Sequence, residues 1–361
     1  MLASSHFEYR MPFHPDRSEA EVRTAQELWL HHEKAAVQRR QEKLRVVHAG
    51  LADLRDKVRH WLGAETYAAW QRLKHDLRLQ GRKSQGPTSR SGLYHADVVR
   101  RQMGEVKLFL EKRGVAVEKF AGLREQLLSG TTLPMLTEIS GQIHFADFGA
   151  GPVHADSIVI TVTPPFTGWQ IGLDHGLVSG FRTDRTPLLD ANAGHVGNII
   201  TLDDDDASDF DAGSVVADTQ IAFWYHAPAT GLVKATIIAD VGEARHHLQV
   251  SDEWGVSDSQ TMQQGFLMMH VLHANVRGPS FGLASKFEWN TDNSSYLDEQ
   301  FLHPGDRVGM TLFSDGPVNA GEWMVIRAGC RNQDGSITND MEIHSRSTFS
   351  WFIKQVHLQI Q

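Results

Sequence analysis

From Leu44 onward, apolar residues recur at alternating steps of three and four, as Leu44, Val47, Leu51, Leu54, Val58 and Trp61. That spacing stacks them along one face of a helix as a coiled-coil seam. Carried backwards, the same steps reach Val37 and Leu30 but also the charged Arg40 and Glu33. The seam is thus apolar in its second half and mixed in its first. Ser18-Glu19-Ala20-Glu21 opens the stretch as a capping box, with Ser18 accepting from the Glu21 amide and the Glu21 carboxylate reaching back to the Ser18 amide. Gly63 closes it. A helix over 19–62 is about 65 Å long, and one of that length needs a partner along its seam. A second helix is expected over 65–79, with Tyr67, Trp70, Leu73 and Leu77 on one face. A third helical pattern starts at Asp97 and runs through Met103, Val106, Leu110, Val117, Phe120 and Leu127, weakened at Gly104 and Gly114, where Gly114 kinks or divides it. The simplest arrangement folds this late helix antiparallel onto the first, as a helical hairpin or small bundle.

After Ser129-Gly130-Thr131-Thr132-Leu133-Pro134 the period of the apolar positions changes from about 3.6 to about 2. Strands are expected over 157–163, 220–226, 232–240, 266–276, 307–313, 323–330 and 349–360. Turn-rich links separate them, such as Pro164-Pro165, Pro228-Ala229-Thr230-Gly231, Pro304-Gly305-Asp306 and Asp334-Gly335. With no helix-length amphipathic run between the strands, the pattern predicts a segregated α+β chain. It consists of an N-terminal tail over 1–18, a helical arm over 19–130, and an antiparallel β-sandwich of jelly-roll type over 131–361.

Charge sharpens that division. Residues 1–130 carry 24 Lys+Arg and 16 Asp+Glu, a net of +8, whereas residues 131–361 carry 11 and 28, a net of −17. A basic arm and an acidic β domain on one chain favour self-association, in which the arm of one subunit meets the β domain of another and salt weakens the attraction. The basic stretch 81–92, which lacks apolar residues, reads as a solvated linker, with contact to phosphate or an acidic surface as its functional alternative. No run approaches the ~20 apolar residues of a membrane-spanning helix. The N-terminus lacks the pattern of a secretory signal, so synthesis in the cytoplasm is expected, followed by signal-independent export or incorporation into a larger particle.

Motifs for catalysis are weak. The lone cysteine, Cys330, sits in a strand-like run with no flanking His or acid, and reads as a small buried hydrophobe. Gly278-Pro279-Ser280-Phe281-Gly282 matches the nucleophile-elbow pattern, but that motif needs a helix after the serine and the following residues read as a strand. His270 and His273, and likewise His246 and His247, are spaced to face opposite sides of a strand, which disfavours a histidine metal site. The acidic run Asp203, Asp204, Asp206, Asp209 and Asp211, with Asp205 inside it, offers hard oxygen ligands for calcium without the spacing of an EF-hand. The cluster Asn290 to Ser295 with Asp298 and Glu299 is a weaker version of the same composition. Among nine tryptophans, Trp254 stands in a polar context, Ser251 to Gly255, and is the candidate for stacking on a glycan or partner.

These features predict a non-enzymatic assembly and binding component, of the kind found in filaments, shells, injection machines or virus-like particles. In it the arm mediates oligomerisation and the β domain recognises a protein or glycan. The alternative is a pore-forming or insecticidal-type toxin with a helical bundle and a receptor-binding β domain. Nucleic-acid binding through the basic arm is disfavoured by the acidic majority, and a hydrolase stands last.

Overall fold

The computed structural model describes residues 5–12, 18–84, 104, 105, 107–116, 143–145, 159–175, 181–204, 211–252, 260–273, 280–291, 296–314, 316–338 and 341–361. The chain is mostly antiparallel β-sheet, with a long helix near its N-terminus. That helix, α1 (Glu19–Leu62), starts at the capping box. The Glu21 amide donates to Ser18 Oγ at 3.3 Å and the Ser18 amide donates to the Glu21 carboxylate at 3.0 Å. It stops at Gly63, whose φ of 79° is open to glycine at little cost. The second helix, α2 (Ala64–Ser84), runs five residues beyond the expected end at Leu79. In the third pattern, residues 107–112 are helical and close at Gly114, where φ is 74° and the Gly114 and Val115 amides donate to the carbonyls of Glu111 and Leu110.

One sheet, called A here, has six strands. In spatial order they are β1 (Ser5–Arg10), β4 (Gly168–His175), β7 (Asp211–His226), β13 (Trp323–Thr338), β9 (Gln260–His273) and β10 (Ser280–Thr291). Sheet B is built from β2 (Ile143–Phe145), β12 (Arg307–Phe313), β8 (Val233–Asp252), β14 (Met341–Ile360), β6 (His195–Asp204) and β5 (Phe181–Asp190). Here β11 (Tyr296–Leu302) also pairs with β8, and β3 (Val159–Val162) with β14. All their pairings are antiparallel. Arg307–Phe313 matches its expected strand, 157–163, 220–226, 323–330 and 349–360 each contain or lie within an observed one, 232–240 overlaps β8 from Val233 onward, and 266–276 overlaps β9 as far as His273, its last three residues lying outside the described ones. Asp334-Gly335, expected as a turn, lies inside β13 and pairs on both sides, with Val215-Ser214 and with Gln263-Met262. The turn composition is overridden there because both flanking strands extend past it. Ser280 opens strand β10 with no helix after it, so the nucleophile-elbow geometry is absent. Residues 5–10, read from sequence as part of a tail, form the edge strand β1.

The two sheets share one hydrophobic core. Ile221, Phe223, Leu267 and Ile326 from sheet A meet Ile237, Met310, Phe349 and Trp351 from sheet B. Strand β13 is buried on both faces. Its even-numbered residues Met324, Ile326, Ala328 and Cys330 join the core between the sheets, while Val325 and Ile337, on the opposite face, meet the helices. Trp29 packs with Val325, Ala222 and Leu272, and Val47 and Val58 share a cluster with Ile337, Ala212 and Met262. Trp29 to Val58 spans about 43 Å of helix, and Val325 to Ile337 about 40 Å of strand. The long helix therefore lies along sheet A, and its seam finds its partner in the sheet. The segment containing Leu110 adds to the same layer at Val58, Leu62 and Trp70.

Candidate interaction surfaces

The first surface is where α1 meets sheet A. Of the seam residues, Leu44, Val47 and Val58 are buried, whereas Trp61 is 42% exposed and Leu62, one position on, is buried in its place. Leu51 and Leu54 are helical, and their side chains lie outside the described residues. The charged positions that break the seam prove to be part of the packing. Glu33 is buried, with its carboxylate 3.2 Å from Arg327 Nη1 and 3.9 Å from Arg331 Nη2, both on β13. Arg331 is gripped from the other side by Asp218 of β7 in a two-point contact, with Nη2 donating to Oδ2 at 2.7 Å. Arg327 also donates to Gln170 Oε1 at 2.7 Å, and its guanidinium lies 3.9 Å from the Trp29 ring centre. Seven residues after Glu33, the guanidinium of Arg40 pairs with Asp174 of β4 at 2.8 Å. Burial pushes Arg327 down to about 10, opposed chiefly by Glu33, so it keeps its charge at neutral pH.

The three arginines Arg40, Arg327 and Arg331 thus face the three carboxylates Glu33, Asp174 and Asp218. Burying so many charges is costly in itself, and what it secures here is register. A slip of α1 by one turn, about 5.4 Å, would leave Glu33 away from its arginines and Arg40 away from Asp174. The sequence signal was present in Glu33 and Arg40, which fall on the seam. Their partners, about 130 to 300 residues away, had no local pattern to announce them.

The second surface is the outer face of sheet B. Along one row, Thr311, Thr236, His357 and Thr161 sit directly opposite one another on β12, β8, β14 and β3. Thr236 and Thr311 hydroxyls are 3.0 Å apart, and Thr161 Oγ1 is 2.9 Å from His357 Nδ1. Partial burial lowers the His357 pKa. The next row toward the strand ends is Phe313, Lys234, Gln359 and Val159, with Phe313 46% and Val159 43% exposed. At the other end, Arg307 pairs with Asp240 at 2.9 Å, and the Phe352 ring stacks with His195 at 4.4 Å and lies 5.1 Å from the Lys354 ammonium.

Between the sheets lies a buried polar cluster. Asp334 Oδ2 accepts from Ser347 Oγ at 3.0 Å and Ser345 Oγ at 3.3 Å, Gln263 donates to Ser345, and Gln263 Oε1 meets His246 Nδ1. Desolvation raises the Asp334 pKa to about 8 and lowers that of His246 to about 4, so both are neutral at pH 7. Cys330 lies nearby, its Sγ donating to Asn332 Oδ1 at 3.0 Å, and burial pushes its thiol far above the ordinary range. Neutral and enclosed, that thiol is held as packing.

The remaining sequence candidates are scattered. Asp203 lies on β6 with its carboxylate 3.1 Å from His344 Nδ1. Asp204 and Asp211 end β6 and begin β7, with side chains outside the described residues, and Asp206, Asp209 and Trp254 lie wholly outside them. Among the described residues no group of three His, Cys, Asp or Glu side chains is placed to hold a metal ion. His246 is buried between the sheets, while its neighbour His247 is only half-buried. No described helix is long and apolar enough to cross a membrane.

No protein-family model matches the chain, and no curated protein matches it in sequence. Among solved structures, similarity extends to the enzymatically active domain of tailspike protein 4 of Bacteriophage CBA120, at 7% identity and a TM-score of 0.11, over 46% of this chain and 19% of that one. It also extends to the module TmCBM61 in complex with beta-1,4-galactotriose, at 10% identity and a TM-score of 0.08, over 46% of this chain and 88% of that one.

Proposed function

We propose that this chain is a non-enzymatic assembly and binding protein: its N-terminal arm serves self-association, and the open outer face of sheet B recognises a protein or glycan partner. The observation that carries the reading is the asymmetry of the two sheets. The outer face of sheet A is covered by α1 through Trp29, Glu33 and Val47, whereas that of sheet B keeps Phe313, Val159 and Thr161 exposed. A row of threonines with His357, beside the Gln359 amide and the exposed Phe313 ring, suits a ligand that combines hydroxyl groups with apolar faces. The scaffold of this reading is a β-sandwich of jelly-roll type. It is supported by the repeated passage of the chain between sheets, from β6 to β7 to β8 to β9.

A glycan array probed with the full chain, beside a variant carrying Phe313→Glu and Val159→Glu, tests the recognition surface. Binding by the parent and its loss in the variant, with unchanged circular dichroism, is the expected result. Equal binding by both would remove sheet B from the reading. Light scattering of the parent in low and high salt tests self-association, with a lower mass expected in high salt.

A further inference from the structure

We infer that the outer face of sheet B takes an acidic glycan, a chain of hydroxylated rings bearing carboxylates, laid across β12, β8, β14 and β3 along the row of Thr311, Thr236, His357 and Thr161. This rests on the recognition reading above and names the ligand of that face.

The row crosses three strand spacings, about 14 Å, and its polar groups are only partly used by one another. The Thr236 and Thr311 hydroxyls are 3.0 Å apart, so one donates to the other and one hydroxyl proton is left over. The Thr161 hydroxyl and His357 Nδ1 engage each other at 2.9 Å, which leaves the ring's Nε2. Each couple therefore keeps hydrogen-bonding capacity for the hydroxyl groups of a ligand, with Phe313 and Val159 beside them as apolar surface.

Charge selects among hydroxylated ligands. On these four strands, between the row of Phe313 and the row of Arg307, the described charged side chains of the outer face are Lys234, Arg307, Lys354 and Asp240. Asp240 lies 2.9 Å from Arg307 Nε and 3.8 Å from Lys354 Nζ, and the two cations stay 60% and 44% exposed. Held by its Nε, the Arg307 guanidinium keeps its terminal nitrogens for a carboxylate. Lys234, one row past the threonines, has no acidic partner among the described residues. Three cations thus face one carboxylate, in a region with 11 Lys+Arg against 28 Asp+Glu. Glu243 follows beyond the Arg307 row and Asp190 lies on β5. At physiological ionic strength, charges more than about 8 Å away are largely screened, so the local excess decides.

An acidic peptide fits less well. Peptides join sheets through free main-chain groups at an edge, whereas β8 at Thr236 and β14 at His357 are paired on both sides.

The test is calorimetric titration of the full chain with polygalacturonate. Binding that weakens in high salt, with none to neutral dextran, is expected. Lys234→Gln with Lys354→Gln, and separately Thr236→Val with Thr311→Val, should each weaken it about tenfold at the parent's melting temperature. Should the threonine pair lose its β circular dichroism, the lysine pair, whose charges lie at the surface, decides. Parent protein that ignores polygalacturonate, or variants that bind it as the parent does, overturn the inference. Equal affinity for polyglutamate, or tighter binding of dextran sulfate, overturns it as well, since charge without a carboxylated sugar would then suffice. If the parent binds a neutral glycan and loses it on Phe313→Glu with Val159→Glu, yet ignores polygalacturonate, the acidic ligand falls and the recognition reading stands.

Discussion

Arg327 of β13 lies over the indole of Trp29, its guanidinium carbon 3.9 Å from the ring centre, and donates to Glu33 one turn further along α1. One buried cation thus meets two helix residues four apart, the spacing that places them on the same face. This fixes both the rotation of α1 and its position along sheet A.

Trp29→Ala should cost on the order of 3–5 kcal/mol, since it empties a buried site against Val325, Ala222 and Leu272 and uncovers Arg327. The loss should be read by chemical denaturation of the full chain. A double-mutant cycle with Arg327→Met should return a coupling energy of about 1–2 kcal/mol for the ring and the cation. A coupling near zero would mean that the two side chains do not share one site in solution.

Glu33→Gln keeps the shape of the side chain and removes its charge, leaving Arg327 with Gln170 and Arg331 with Asp218. Breaking a buried pair on one side costs about 3–5 kcal/mol, and the loss should fall on the docking of α1. Hydrogen exchange should quicken in the amides of α1 around Glu33 while those of β13, paired on both sides, stay protected. Equal acceleration in β13 would show that helix and sheet unfold as one unit.

The beginning of α1 was legible because its signals are local. Ser18 and Glu21 cap each other within one turn, and Gly63 marks the end. Regular strands were legible by period where one face meets the core and the other does not, as in Arg307–Phe313. β13 hid half its length because both its faces are buried. A two-sided strand loses its alternation, and Asp334-Gly335 then resembles a turn by composition alone. The helix seam was visible but its partner was not, since Ile337, Met262 and Ala212 come from three strands far along the chain. β1 went unread because a six-residue edge strand bounded by Met11-Pro12 has too few alternations to stand out.

The surface row on sheet B makes a contrasting case. Phe313→Glu replaces a 46% exposed ring at the end of β12, so it should change stability by less than about 1 kcal/mol. Thermal melting of this single variant beside the parent checks the point. A large loss would show that Phe313 is covered in solution, for instance by a second copy.

Asp334 and His246 make opposite contributions to the pH dependence of folding, and the two can be separated. Asp334 is raised from 3.8 to about 8 in the folded chain, so between those values the folded state holds a proton that the unfolded state has lost, and stability falls as pH rises. His246 is lowered from 6.5 to about 4, so between those values the unfolded state holds the extra proton, and stability rises with pH. Each slope is about 1.4 kcal/mol per pH unit. The two therefore cancel between roughly pH 4 and 6.5, and the Asp334 loss stands alone from about 6.5 to 8. Asp334→Asn keeps an oxygen to accept from Ser345 and Ser347 and removes the titration. Its amide, placed where Asp334 Oδ1 has no hydrogen-bond partner, adds a cost that does not depend on pH, so the slope and not the intercept is diagnostic. Denaturant unfolding at pH 5, 6, 7 and 8 should show the stability of the variant rising relative to the parent at every step. Parallel curves for the two proteins would mean that Asp334 is ionised across this range and that water reaches the cluster between the sheets.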